Sequence, residues 1–116
     1  MKPWDGKLVR EWLESRFSAA RLDQAAADKR GYAAQDDYDK AAAEEWVCRL
    51  LKTDARTDDQ TAFAARLKEL LAQDEYQTRG VHDDRRFERE VRAMLRKLAK
   101  MTKANDGFAN TLRYQS

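Results

Sequence analysis

The chain has 116 residues, of which 42% are hydrophobic and 38% charged, and these values fit one domain whose core needs no disulfide. Cys48 is the only cysteine, which excludes an intrachain disulfide and indicates the reducing cytoplasm. No apolar stretch approaches the roughly 20 residues of a membrane span, so we expect no membrane partner. The abundance of Ala, Asp and Arg is typical of proteins from GC-rich bacterial or phage genomes.

The scarcity of turn residues sets the fold class. Four glycines and one proline are too few for the many turns of a sheet-rich fold. We therefore predict an all-α fold, a compact bundle of about four helices over residues 1–107 with a short C-terminal tail at 108–116. In this tail, Phe108, Leu112 and Tyr114 could dock on the body.

The first two predicted helices form a long hairpin. The first runs from about Asp5 to Arg30, where Gly31 is a natural stop, and the second runs from about Ala34 to Thr53. Alanine replaces larger apolar residues on both sides of the turn, which allows the two helices to approach closely. Two interpretations stay open: an ordinary tight hairpin, or a slender tip that contacts a partner.

The third and fourth predicted helices complete the core. A capping box at Thr57–Gln60 starts the third, which ends before Gly80. The fourth starts near Asp83 or Asp84 and ends at 105–107. Large apolar residues at helical spacing predict a buried core made of Trp12, Phe17, Trp46, Leu50, Phe63, Leu67, Leu70, Val91, Leu95 and Leu98.

Six cations follow one another on the last helix at steps of four, three, four, four and three residues. At about 100° per residue they fall within an arc of roughly 80°, opposite the apolar side, along about 27 Å of helix. No acid occurs between Val91 and Asn105, and residues 81–116 carry nine cations against five acids. This basic row consists of Arg85, Arg89, Arg92, Arg96, Lys100 and Lys103.

The basic row predicts a polyanion partner, because its fourth-neighbour pairs repel one another where exposed helices usually place opposite charges. We predict a non-enzymatic subunit or accessory protein that contacts the phosphates of RNA or DNA within a larger nucleoprotein complex. The alternative is a protein-interaction module or inhibitor, for example a phage-encoded one, that binds an acidic protein surface. In isolation we expect a monomer or a weak dimer.

No pattern indicates catalysis, a cofactor or a metal. Cys48 is predicted to project away from the apolar stripe of the second helix, and no spacing links it to His82, the single histidine. His82 and the two aspartates after it lack the further histidines of a metal site. We interpret Asp83 and Asp84 as helix caps.

Arg16 is the one cation within the apolar stripe of the first helix. It either covers the core with its aliphatic stem or forms a partly buried ion pair. The candidate partners are Glu44, Glu45 and Glu69. Both interpretations make Arg16 a structural residue; a direct binding role is the alternative, and nothing in the sequence singles it out.

Overall fold

The computed structural model describes residues 4–77, 80–103 and 108. Within these residues the chain forms four α-helices, a short 3-10 turn and no β-strand, which confirms the predicted all-α bundle. The elements are α1 (Gly6–Arg30), the 3-10 turn (Gly31–Ala34), α2 (Gln35–Asp54), α3 (Gln60–Leu71) and α4 (Asp84–Lys103). α2 packs against both α1 and α4, and α4 packs in turn against α3.

Both ends of α1 lie where the sequence predicts them. The Asp5 side chain accepts hydrogen bonds from the backbone N–H groups of Lys7 and Leu8, so it caps the helix. Gly31 ends the helix with φ 74°, a left-handed conformation that costs glycine little.

The predicted Ala-rich hairpin is present, and small residues line its seam. Ala20 and Ala27 on α1 are buried, as are Ala41, Ala42 and Ala43 on α2. Successive residues of a helix lie about 100° apart, so the three alanines of α2 cannot all face α1. Since an alanine side chain is a single methyl group, those that do face the seam allow the two helices to approach closely. At the turn, Tyr32 keeps 88% of its surface exposed.

Cys48 is buried, and the prediction that it projects away from the core is wrong. Its exposed fraction is 0%, and it belongs to the same apolar cluster as Val47 and Leu51. The reason is that α2 has α1 on one side and α4 on another. A helix covered on two sides buries a wide arc, so a single apolar stripe does not describe it.

The start of α3 differs from the predicted capping box. Asp59, two residues after the expected cap, accepts a hydrogen bond from the backbone N–H of Ala62. Thr57 is instead buried at 3% exposure, and its carbonyl oxygen accepts a bond from the Trp4 indole. Gly6 packs close to the same segment, since a Cβ on it would lie 2.5 Å from the Thr57 carbonyl oxygen.

The segment after α3 is longer than the short connection expected from sequence. α3 ends at Leu71, so residues 72–83 cross to α4 without helical structure where they are described. Tyr76 fixes this crossing to the body: its side chain is buried, and its hydroxyl donates a 2.7 Å bond to the Leu70 carbonyl.

Of the ten predicted core residues, seven are fully buried. Phe17, Trp46 and Leu50 are partly buried and pack against the edge of the core. Phe17 lies at this edge under the ammonium group of Lys52, 4.5 Å from the ring centre. Long amphipathic side chains therefore cover apolar surface that the pattern assigned to the interior.

Phe108 packs into the core, as its sequence position allowed. It is 4% exposed and makes edge-to-face contacts with Trp4, Trp12 and Phe63 at centroid distances of 5.5 to 6.1 Å. The predicted end of the fourth helix at 105–107 and the rest of the predicted tail lie outside the described residues.

Candidate functional site

α4 begins at a capped turn that presents the first residues of the basic row. Asp83 accepts hydrogen bonds from the backbone N–H groups of Arg85 and Arg86, at 2.9 and 3.1 Å. These bonds, with the nearby guanidinium charges, hold the pKa of the Asp83 carboxyl below its usual range. The interpretation as a helix cap is thus confirmed for Asp83, whereas Asp84 is the first residue of α4 itself. The buried side of the helix consists of Phe87, Val91, Leu95, Leu98, Met101 and Thr102.

Five of the six cations of the basic row point to solvent. Their residues are exposed, and their side chains make no hydrogen bond or ion pair with any other residue that the structure describes. The five are Arg85, Arg89, Arg96, Lys100 and Lys103. An unpaired surface charge is available to an incoming ligand at little desolvation cost.

Arg92, in the middle of the row, is engaged with the body of the protein. Its guanidinium donates to the carbonyl oxygens of Leu71 and Gln73, at 2.9 and 2.8 Å, just where α3 ends. It also pairs with Glu88 at 3.1 Å and stacks 5.0 Å from the centre of the Tyr76 ring. Arg92 therefore joins α4 to the end of α3, a role that its position in the row did not indicate.

A shallow hollow of about 310 Å³ opens on the solvent side of α4 between the arginines. Four guanidinium groups and one carboxylate line it. That carboxylate, Glu88, is already paired with Arg92. The hollow is lined by Arg85, Glu88, Arg89, Arg92 and Arg96.

A larger groove of about 680 Å³ runs between α1, α2 and α4, and its charges balance. Arg16 pairs with Glu44 across the α1–α2 seam, which selects the ion pair from the two interpretations of Arg16 and Glu44 from the three candidate partners. Arg30 likewise pairs with Asp37 at 2.9 Å. The groove lining contains four cations and four acids: Arg16, Arg30, Lys40 and Lys97 against Asp23, Asp37, Glu44 and Glu90.

The sequence analysis missed an ion-pair cluster that fixes the start of α4. Asp39 on α2 is 0% exposed and accepts hydrogen bonds from the backbone N–H groups of His82 and Asp83, at 2.8 and 3.0 Å. It also accepts a 2.9 Å bond from Arg86, which lies outside the basic row. In sequence, Asp39 is one of several acids at a helix start, and nothing in that pattern marks it as buried.

The Cys48 thiol is sealed in the interior. Burial raises its pKa from 9.0 to about 12, since a thiolate would lose its hydration there. A reactive cysteine has the opposite shift. The part of the chain that the structure describes holds no group of three or more potential metal ligands. It also holds no helix long and apolar enough to span a membrane.

Comparison of the chain with protein-family models, with curated proteins and with solved structures finds no match. The geometry and charge of the basic row are therefore the features of the molecule that bear on its function.

Proposed function

We propose that this protein binds the phosphate backbone of nucleic acid through the solvent-facing cations of α4, as a non-enzymatic subunit or accessory protein of a nucleoprotein complex. The main support for this proposal is that five cations lie exposed along one side of a single helix, without partners among the described residues. Phosphate contacts of this kind supply most of the affinity of non-specific nucleic-acid binding.

Rigidity supports the proposal. α4 is 20 residues long, packs against both α2 and α3, and is anchored at its start by the Arg86–Asp39 pair. The cations therefore keep a fixed spacing along the helix axis. A row of charges on a rigid element can contact phosphates without first ordering the backbone that carries it, which lowers the entropic cost of binding.

The composition of α4 favours duplex over single strands. Binding of single strands relies on exposed aromatic side chains that stack with bases. The one aromatic residue of α4, Phe87, is buried. The helix also contains no Asn or Gln, the residues that pair with adenine in the major groove, so a base contact could be made only by its arginines, to guanine. We expect duplex binding that depends mainly on phosphate contacts.

The test is fluorescence anisotropy with duplex and single-stranded DNA and RNA of equal length. In the test variant, Arg85, Arg89 and Arg96 are changed to Glu, while Arg92 stays because it supports the fold. We expect this variant to lose duplex binding and keep its helical circular dichroism spectrum. Undiminished duplex binding by the folded variant would refute the proposal.

A matched control places the same charge change on α1, which packs against α2 rather than along α4. It changes the exposed residues Lys7, Arg21 and Lys29 to Glu. We expect it to bind duplex more weakly by a small factor, through the loss of net charge alone. If the wild type binds no nucleic acid but binds polyglutamate through the same three arginines, the partner is an acidic protein surface instead.

A further inference from the structure

We infer that the arginine end of the basic row is a defined phosphate site, built around the hollow in which Arg85, Arg89 and Arg96 surround the fixed guanidinium of Arg92. Lys100 and Lys103, at the other end, then contribute diffuse charge only. This inference rests on the proposed function and adds to it. It divides one row of six cations into a part that recognises phosphate geometry and a part that attracts any polyanion.

The two ends of the basic row differ first in shape, because only the arginine end has a concave surface. The hollow of about 310 Å³ is lined by residues 85–96 and by neither lysine. Side chains around a concave surface converge on a common point, whereas cations along a convex helix surface diverge. Successive arginines around the hollow lie about 4.5 to 6 Å apart along the helix axis, so a phosphate placed in it is within reach of two neighbouring guanidinium groups.

The fixed position of Arg92 is the second observation. Its guanidinium donates to two backbone carbonyls, pairs with Glu88 and lies over the Tyr76 ring. These contacts occupy Glu88, the single acid of the lining. The carboxylate is thereby neutralised before a ligand arrives, and the other three arginines are left to bind an anion.

The chemistry of the two side chains is the third observation. A guanidinium offers paired N–H donors that match two oxygens of one phosphate, while an ammonium acts as a point charge without that geometry. Arginine occupies all four cationic positions of the hollow, and lysine occupies both positions beyond it. A purely diffuse attraction would not distinguish the two residue types.

The test exchanges the cations without changing the charge. In one variant Arg85, Arg89 and Arg96 become Lys; in its control Lys100 and Lys103 become Arg. We expect the first variant to bind duplex DNA at least about tenfold more weakly, because each paired contact becomes a single one. We expect the control to bind within about twofold of the wild type, because point charge is retained. Equal affinity of the arginine-to-lysine variant and the wild type would overturn the inference.

A second measurement separates failure of this inference from failure of the proposed function. Inorganic phosphate is titrated into the wild-type protein while the arginine Nε–H resonances are followed by NMR, with chloride as the ionic-strength control. We expect saturable shifts at Arg85, Arg89 and Arg96. Duplex binding without these shifts would overturn the phosphate site and leave the proposed function intact. Saturable shifts without duplex binding would support the phosphate site but refute its use for nucleic acid.

Discussion

The arginines of α4 fall into two groups that differ in their surroundings. On the flanks of the helix, Arg86 and Arg92 are tied to α2 and to the end of α3 by ion pairs and backbone carbonyls. On the solvent side, Arg85, Arg89 and Arg96 have no side-chain partner among the described residues. The comparison teaches that a cation of a basic row is available to a ligand only if the fold does not already use it.

The largest effect should come from the buried partner of the first group. Changing Asp39 to Ala removes the acceptor of two backbone N–H groups and of Arg86. Arg86 keeps Asp36 and Asp83 as partners, so the main cost comes from the two N–H groups left without an acceptor, about 1–3 kcal/mol each in the free energy of unfolding. Urea denaturation measures it.

The control for this variant is Asp36→Ala, since the Asp36 carboxylate contacts the same arginine but its side chain is 81% exposed. We expect it to change stability by less than about 0.5 kcal/mol. Equal, small effects of the two substitutions would show that the Asp39 cluster does not hold α4 in place.

A neighbouring pair of variants tests the division within the basic row itself. Arg92→Ala should lower the free energy of unfolding by about 1–2 kcal/mol, because two carbonyls at the end of α3 lose their donor. Arg89→Ala should change stability by less than about 0.5 kcal/mol and instead weaken duplex binding. Thermal unfolding and anisotropy together give both readouts. If the Arg92→Ala variant is as stable as the wild type, Arg92 belongs with the solvent-facing group instead.

The pH dependence of the free energy of unfolding tests whether the interior around Cys48 on α2 excludes water. The raised pKa of Cys48, about 12 in the fold against 9.0 for an exposed thiol, means that folding favours the protonated form. Its contribution is complete below pH 9 and is lost as the pH rises through 12, at about 1.4 kcal/mol per pH unit.

Other groups titrate in the same pH range, so the same measurement is made on Cys48→Ala. In this variant, the part of the fall in the free energy of unfolding that Cys48 causes should be absent. A thiol reagent at pH 8 should label the wild type only after unfolding. Rapid labelling of the native protein would contradict a buried Cys48.

The smallest effect should come from Glu88, the acid that offsets charge in the hollow. Glu88→Gln removes one negative charge while keeping the side-chain size, and the carbonyl bonds of Arg92 remain. We expect duplex affinity to rise by about twofold to tenfold, as for the gain of one phosphate-facing charge near the site. Weaker binding by this variant would show that Glu88 positions Arg92 for the ligand.

Sequence reasoning recovered the helices well because their signals are local. Asp5 and Gly31 bound α1 through their own caps, and the apolar spacing of α4 identified its buried side. What it missed depends on contacts between distant segments. The burial of Cys48 follows from two helices packing on α2, and Asp39 is buried because a loop 43 residues later donates to it.

The same limit applies to the candidate site. Helical spacing correctly placed five cations at the surface, because the solvent side of α4 is opposite its apolar side. It could not separate Arg92 from its neighbours, since the carbonyls that bind this residue belong to the end of α3, 19 and 21 residues earlier. The use of an arginine by the fold is a tertiary property.

The most direct test of the central claim, that the solvent-facing cations bind phosphates, is the salt dependence of duplex DNA affinity. Five contacts predict that log K falls with log salt at a slope of about −4.5, since each phosphate contact contributes about −0.9. Changing Arg85, Arg89 and Arg96 to Gln should reduce this slope to about −1.8. An unchanged slope in that variant would contradict the account, because the released counterions would then belong to some other surface.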